Sequence, residues 1–267
     1  MTEKQARVSV YVSVGNSSVF RVSVAGWPEN TAATSAPEIF GSYWPPIGVS
    51  VIEESTNVER EFSVDLSSED SLVRFESDFG LYVSEKLPGF VAVHAALLHV
   101  DDAVIIVPGK SGVGKSSLCV AAMEAGWEVW SDEYCLIDTT TGEVSGWPRP
   151  VRQRLPGGGV RRIDHQGPVG PGQATHVIAM AYSGDISGLA LEPVSPGQVA
   201  MDLMANTVCA RSRPEETFRA TTRLAKDING LGGYRGDTET SLAPLRMLLA
   251  ESRPENVFTQ SPKEKKG

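Results

Sequence analysis

The sequence predicts an α/β protein with α+β character, its core a mixed sheet with antiparallel hairpins, preceded by a small, mainly β domain. Three observations predict it. Two segments near the start alternate apolar and polar residues, an apolar strand from residue 103 runs into a glycine-rich loop and a helix, and three helical segments close the chain. The length of 267 residues allows one large domain or two modest ones.

Hydrophobic residues make up 41% and charged residues 21% of the chain, a globular rather than disordered composition. Glycine (26) and proline (17) show no three-residue period, which excludes a collagen-like chain. Cys119, Cys135 and Cys209 form no CxxC and no zinc-type cluster, the usage expected in a reducing cytoplasm. The chain does not open on a basic stretch followed by an apolar run, and its apolar runs are only a few residues long, so neither secretion nor a membrane is expected. A net charge of −9 speaks against nucleic acid as a partner, since that binding rests on Lys and Arg neutralising phosphates. The charge is uneven, with 13 acidic and 6 basic residues in 1–90 against 20 and 18 in 91–267. The expected division is an accessory or substrate-recognition domain over 1–88, a core over 89–258 and a disordered tail over 259–267.

Taken in order, residues 8–14 and 19–24 flank the turn-like 15–18 and predict a β-hairpin. Shorter strand-like runs follow at 49–52, 61–66, 72–75 and 81–83, and no amphipathic helix stands out before residue 90. Residues 94–100 and 103–107 are apolar strands joined by Asp101 and Asp102, and so short a link permits only an antiparallel pair. Residues 117–126 read as a helix stopped by Gly126, 127–130 as a strand, and 135–138 with 143–145 as a further hairpin. The Gly-, Pro- and Arg-rich stretch 147–175 reads as loop, 176–182 and 189–194 as strands, and the segments near 197–210, 214–227 and 239–251 as helices. Trp127, Trp130 and Trp147 could stack on a base but are assigned to core packing, the commoner use of buried tryptophan.

Gly109, Lys110, Ser111, Gly112, Val113, Gly114, Lys115 and Ser116 fit G-x-x-x-x-G-K-[ST] between a strand and a helix, the context that a phosphate-binding P-loop requires. The glycines allow the backbone to approach phosphate oxygens at a helix N-terminus. Gly109, Ser111, Gly112, Val113, Gly114, Lys115, Ser116 and Ser117 are therefore the candidate nucleotide contacts, with Lys115 on the β- and γ-phosphates and the Ser116 hydroxyl on Mg²⁺. The loop does not name the reaction. No LSGGQ-type signature and no N-K-x-D motif occurs, and a phosphate loop fed by an antiparallel hairpin is unusual among P-loop proteins.

His94 with the apolar residues after it, the loop 109–116, and the segment from Gly126 to Asp132 and Glu133 together resemble the core of HPr kinase/phosphorylase and its related proteins, over about residues 91–150. The resemblance implies a compact kinase core related to phosphoenolpyruvate carboxykinase, which uses ATP and Mg²⁺ to phosphorylate a serine-type hydroxyl. It implies that Asp132 is the acid/base aspartate, that Glu133 stands where a second aspartate helps hold the metal, and that His94 contacts the catalytic aspartate or the phosphates. Adjacent residues on a regular strand face opposite ways, so Asp132 and Glu133 serve one site only if the chain turns there. Without the resemblance, His94 would be read as a core histidine, and a surface turn is the alternative reading of the acidic pair. His99 is assigned a structural role.

Arg149, Arg152, Arg154, Arg161 and Arg162 form an island without acids that can clamp phosphate or receive an acidic group, and Arg152 and Arg154 are the catalytic candidates. The E-I-R-G-L-G signature and the late loop linked to phosphorylase activity are absent, so the reverse reaction is not implied. The hexameric state of the family is not carried over either, and a homo-oligomer stays open. The expected function is an ATP- and Mg²⁺-dependent kinase acting on a Ser/Thr-type hydroxyl of a peptide or protein, such as a precursor peptide or carrier protein, or of a small hydroxy amino acid. The alternative is a nucleotide-binding regulatory or assembly module without acceptor chemistry.

Overall fold

The alternating segments at the start of the chain pair as expected: β1 (Arg7–Val14) and β2 (Ser18–Ala25) are antiparallel, with Val10, Val12, Val14, Phe20, Val22 and Val24 turned to one buried face. The computed structural model describes residues 7–15, 18–45, 47–155, 157–164 and 167–251, with the side chains of Ser42 and Arg154 outside that set. The tail 259–267 thus lies outside the described residues. After the short α1 (Ala36–Phe40), β3 (Val49–Ile52) joins β1 antiparallel and β4 (Arg60–Asp65) joins β2 parallel, giving the order β3-β1-β2-β4.

The expected strands at 72–75 and 81–83 do not exist, because residues 69–86 form one helix, α2 (Glu69–Lys86). Ser68 caps it by accepting a hydrogen bond from the Ser71 N–H, Glu69 and Asp70 occupy its first turn and Lys86 its last. Phe75, Phe79, Tyr82 and Val83 recur at helical spacing and bury one face against the small sheet. Their short apolar clusters read as strands only when taken two or three residues at a time. The small sheet does precede the core, but a long helix packs on it, so the N-terminal region is less purely β than expected.

The core sheet is mixed, as expected. Its central hairpin is β5 (Phe90–Val100) and β6 (Ala103–Pro108), antiparallel as the two-residue link demands. β6 enters the glycine-rich loop, and α3 (Lys115–Glu124) follows. β7 (Glu128–Ser131) and β8 (Tyr134–Asp138) both pair with β5, and β9 (Val144–Gly146) pairs with β8. The stretch expected to be loop contains a separate hairpin, β10 (Val151–Arg154) with β11 (Val160–Ile163). Its alternation is hidden because Gln153 and Arg161 share the face of Val151 and Ile163, while Val160 shares that of Arg152 and Arg162.

On the other side of β6 lies β12 (His176–Tyr182), and β13 (Leu189–Pro193) leads to α4 (Pro196–Ala205) and α5 (Pro214–Lys226). A strand absent from the sequence reading, β14 (Asn229–Arg235), runs parallel to β12 and antiparallel to β13 before α6 (Thr238–Glu251). Three of the seven residues of β14 are glycine, and at Gly230 the reason is packing: a Cβ there would collide with Val199 of α4. Alternation along β5 and β6 divides the core. Val91, Val93, Ala95, Leu97, Val104 and Ile106 pack with α4 and α5, while Ala96, Leu98, Val100, Ile105 and Val107 pack with α3 and α6. Ala92, Tyr134, Leu136 and Trp147 belong instead to the hydrophobic cluster of the N-terminal sheet and α2. That shared cluster brings α2 beside the glycine-rich loop. Among the described residues, no helix is long and apolar enough to cross a membrane.

Candidate functional site

The loop is fixed at both ends. Gly109 N–H donates to the His94 carbonyl of β5 at 3.2 Å, and Gly114 begins α3 with φ of 90°, a left-handed conformation suited to glycine. Behind it, Arg235 at the end of β14 donates from Nη2 to the Gly114 carbonyl at 3.0 Å, and a Cβ on Gly114 would collide with that nitrogen. Sequence reading missed Arg235 because it missed β14. Lys115 Nζ donates to the carbonyls of Gly109 at 2.6 Å and Lys110 at 3.1 Å and lies 3.5 Å from His94 Nε2. Burial pushes the pKa of this ammonium down, while the charges of Glu133 and Asp132 push it part of the way back.

Asp132 and Glu133 meet the condition that the chain must turn. β7 ends at Ser131, β8 begins at Tyr134, and the Ser131 hydroxyl accepts from the N–H groups of Glu133 and Tyr134 while donating to the Trp147 carbonyl. The bend aims both carboxylates toward the loop but gives them different surroundings. Asp132 has no exposed side-chain surface. It accepts from Ser116 Oγ on Oδ2 and from Arg149 Nε on Oδ1, each at 3.1 Å. Glu133 keeps 27% of its side chain exposed, with Oε2 at 2.6 Å from Arg149 Nη2 and Oε1 at 3.3 Å from His94 Nε2. Burial alone would raise the Glu133 pKa. The His94 hydrogen bond and the charges of Arg149, His94 and Lys115 outweigh it and hold the carboxyl down at about 2.

The arginine island disperses. Arg149, expected only as one of five, is the central member, and its third nitrogen, Nη1, donates to Glu76 Oε1 of α2 at 2.5 Å. Burial opposes its positive charge, but Asp132, Glu133 and Glu76 together raise the guanidinium pKa above its ordinary value. Arg152 also reaches Glu76, Nη2 to Oε2 at 2.5 Å. Arg154 pairs through its backbone with Val160, and its side chain lies outside the described residues. Arg161 points away to Glu124 of α3, and Arg162 to Glu69 of α2, Asp164 and the Tyr43 hydroxyl. Neither Glu76 nor Ser77 was expected in the site. A glutamate on the buried face of an amphipathic helix is the signal that finds Glu76, and it is visible only once residues 69–86 are read as helical.

These groups line a cleft of about 450 Å³. Ser111, Gly112, Gly114, Lys115, Ser116 and Ser117 form its loop side, with Ser77, His94, Glu133, Arg149, Arg152 and Val160 opposite and Asp132 also on its wall. Gly109 and Val113 do not line it. Val113, expected among the phosphate contacts, turns its N–H toward the Lys110 carbonyl and its side chain into a small recess with Val107, Leu118 and Met180. The three tryptophans are buried in the cores and none lines the cleft. His99 pairs with Glu128 away from the cleft. The three cysteines are buried and free.

A loop of backbone N–H groups at a helix N-terminus, with a lysine at hand, suits a polyphosphate. Among the described residues, no three His, Cys, Asp or Glu side chains gather to hold a metal on their own. Mg²⁺ does not ask for that: it takes one or two protein oxygens with phosphates and water, and the adjacent Ser116 hydroxyl and Asp132 carboxylate are hard oxygen donors of the right kind.

No family model and no curated protein matches the chain. Among solved structures it is similar to the HPr(Ser) kinase/phosphatase from Coxiella burnetii, with 12% identity and a TM-score of 0.31 over 60% of this chain and 94% of that one.

Proposed function

We propose that the protein is an ATP- and Mg²⁺-dependent phosphotransferase that moves a γ-phosphoryl group to a hydroxyl, on a peptide, a protein or a small hydroxy amino acid. The observation that carries this reading is the placement of Lys115, Ser116, Asp132 and Glu133 around one cleft, with Asp132 bonded to the loop serine and Glu133 open to the space beyond it. Ser116 and Asp132 would hold Mg²⁺, which when bound neutralises phosphate charge and orients the transferring group. Lys115 leaves the loop carbonyls to neutralise phosphate oxygens. Glu133 aligns the acceptor hydroxyl and receives its proton late in the transfer, as suits a carboxylate of low basicity in a reaction governed by positioning. His94 orients Glu133 through Oε1, and Arg149 fixes both carboxylates relative to each other. These roles reverse the expected ones, in which Asp132 was the acid/base group and Glu133 the metal ligand.

The test is incubation with Mg²⁺ and γ-labelled ATP against Ser/Thr peptides and small hydroxy amino acids. Labelled product from the wild type, formed at least about a hundredfold more slowly by Glu133→Gln, is the expected result. ATP binding that is lost in Lys115→Ala, with no acceptor labelled by the wild type, would favour a second reading, a nucleotide-binding module. One observation favours that reading: all four oxygens of Asp132 and Glu133 already have partners within the protein, in Ser116, Arg149 and His94.

A further inference from the structure

α2 supplies more than packing. Glu76 is only 5% exposed, it lies on the helix face that carries Phe75 and Phe79, and its two carboxylate oxygens are divided between Arg149 and Arg152. One turn further along the same helix, Gly80 lies against the rings of Tyr134 and Trp147, which flank the Asp132 bend and Arg149 in sequence. The β10–β11 hairpin is fastened to this helix twice. Arg152 and Arg162 oppose each other across the hairpin, a like-charge pairing, and α2 relieves it by giving Glu76 to the first and Glu69 to the second, at 2.5 and 2.6 Å.

Each nitrogen of Arg149 is thereby committed to a different carboxylate: Nε to Asp132, Nη2 to Glu133 and Nη1 to Glu76. A guanidinium is a rigid fork, so fixing Nη1 fixes the direction of the other two. Its side chain is 12% exposed, and a charge so withdrawn from water needs each of its partners. We propose that Glu76 is a positioning residue of the phosphotransfer site, acting from the N-terminal region through Arg149 to set the separation and orientation of Asp132 and Glu133. The inference rests on the functional reading above and deepens it. The helix expected to belong to a recognition domain completes the catalytic arrangement, so a partner that shifts α2 would change transfer without touching the loop.

Glu76→Gln keeps the volume and the acceptor oxygen but removes the charge that balances Arg149 and Arg152. In the full chain, kcat with an accepted hydroxyl substrate should fall about 10–100-fold, as when an outer partner of a metal site is lost, with KM for ATP within roughly twofold of wild type. ATP binding titrated with Mg²⁺ should need several-fold more metal, because the released Arg149 competes for Asp132, while ATP binding in EDTA should be unchanged. Glu76→Asp, which keeps the charge but is one methylene shorter, should recover part of the loss, and it carries the same test should Glu76→Gln fail to fold. A folded Glu76→Gln, or in its place Glu76→Asp, with wild-type kcat and wild-type Mg²⁺ midpoint overturns the proposal, as does lower stability with both quantities unchanged. If the wild type binds ATP without turnover, the Mg²⁺ midpoint alone decides. No ATP binding by the wild type would overturn the functional reading and this proposal together.

Discussion

Ser116 Oγ donates a hydrogen bond to Asp132 Oδ2 across 3.1 Å, which joins the first helical turn after the loop to the bend that follows β7. Glu133, the next residue, makes no such bond and faces the cleft. The two carboxylates are therefore separable by experiment. Glu133→Gln should lower kcat about 10²–10⁴-fold while leaving KM for ATP near the wild-type value. Asp132→Asn should instead raise the Mg²⁺ concentration needed for half-maximal activity. Steady-state kinetics over an Mg²⁺ series distinguish them, and transfer by Asp132→Asn that is undiminished at low Mg²⁺ would remove Asp132 from the metal side.

Lys115 is nearly buried, and its charge is disfavoured by that burial. Lys115→Ala should weaken ATP binding at least about tenfold in calorimetry, because no other cation lies on the loop side of the cleft among its described lining residues. Its thermal midpoint should hardly fall, since removing a desolvated charge offsets the lost contacts. A large loss of stability with ATP affinity intact would contradict the role assigned to this residue.

Phe79 is fully buried where α2 meets the N-terminal sheet, with ring centroids 5.2 Å from Phe20, 5.7 Å from Phe62 and 4.8 Å from Phe75. Phe79→Ala should cost about 3–5 kcal/mol of unfolding free energy in urea titration. Because α2 also carries Glu76, activity should decline at urea concentrations where the core helices are still folded. Simultaneous loss of activity and of all helical signal would show that the two regions unfold as one.

His176 opens β12 in the interior, its Nδ1 2.8 Å from Thr175 Oγ1, and burial lowers its pKa below 6.5. The unfolded chain therefore takes up a proton just below pH 6.5 that the folded chain refuses. The stability contributed by neutral His176 is complete above that pH and is lost as pH falls through the lowered value. Urea midpoints measured from pH 7.5 to 5 should decline on the acid side, and His176→Gln should flatten that decline. An identical slope in the variant would assign the effect to other groups.

Much of the architecture is legible locally. The alternation of residues 8–14 and 19–24, the two-residue link at Asp101 and Asp102 and the loop 109–116 each carry their instruction within a few neighbours. Three elements were not legible in that way. α2 spreads its helical pattern over eighteen residues that look like short strands in small windows, β10 and β11 mix polar and apolar residues on each face, and β14 is glycine-rich because α4 and β13 approach it closely.

The sequence alone determined the glycine-rich loop between a strand and a helix, and the acidic pair at the end of a short strand, since a chain of this pattern has few ways to hydrogen-bond its backbone. Which arginine faces that pair was decided only in three dimensions. Glu76 and Arg149 lie 73 positions apart, and nothing near either one in sequence specifies the contact. It exists because the apolar face of α2 packs against the same cluster as Tyr134 and Trp147. Once that packing brings the charges together out of water, they are stable only as a paired set.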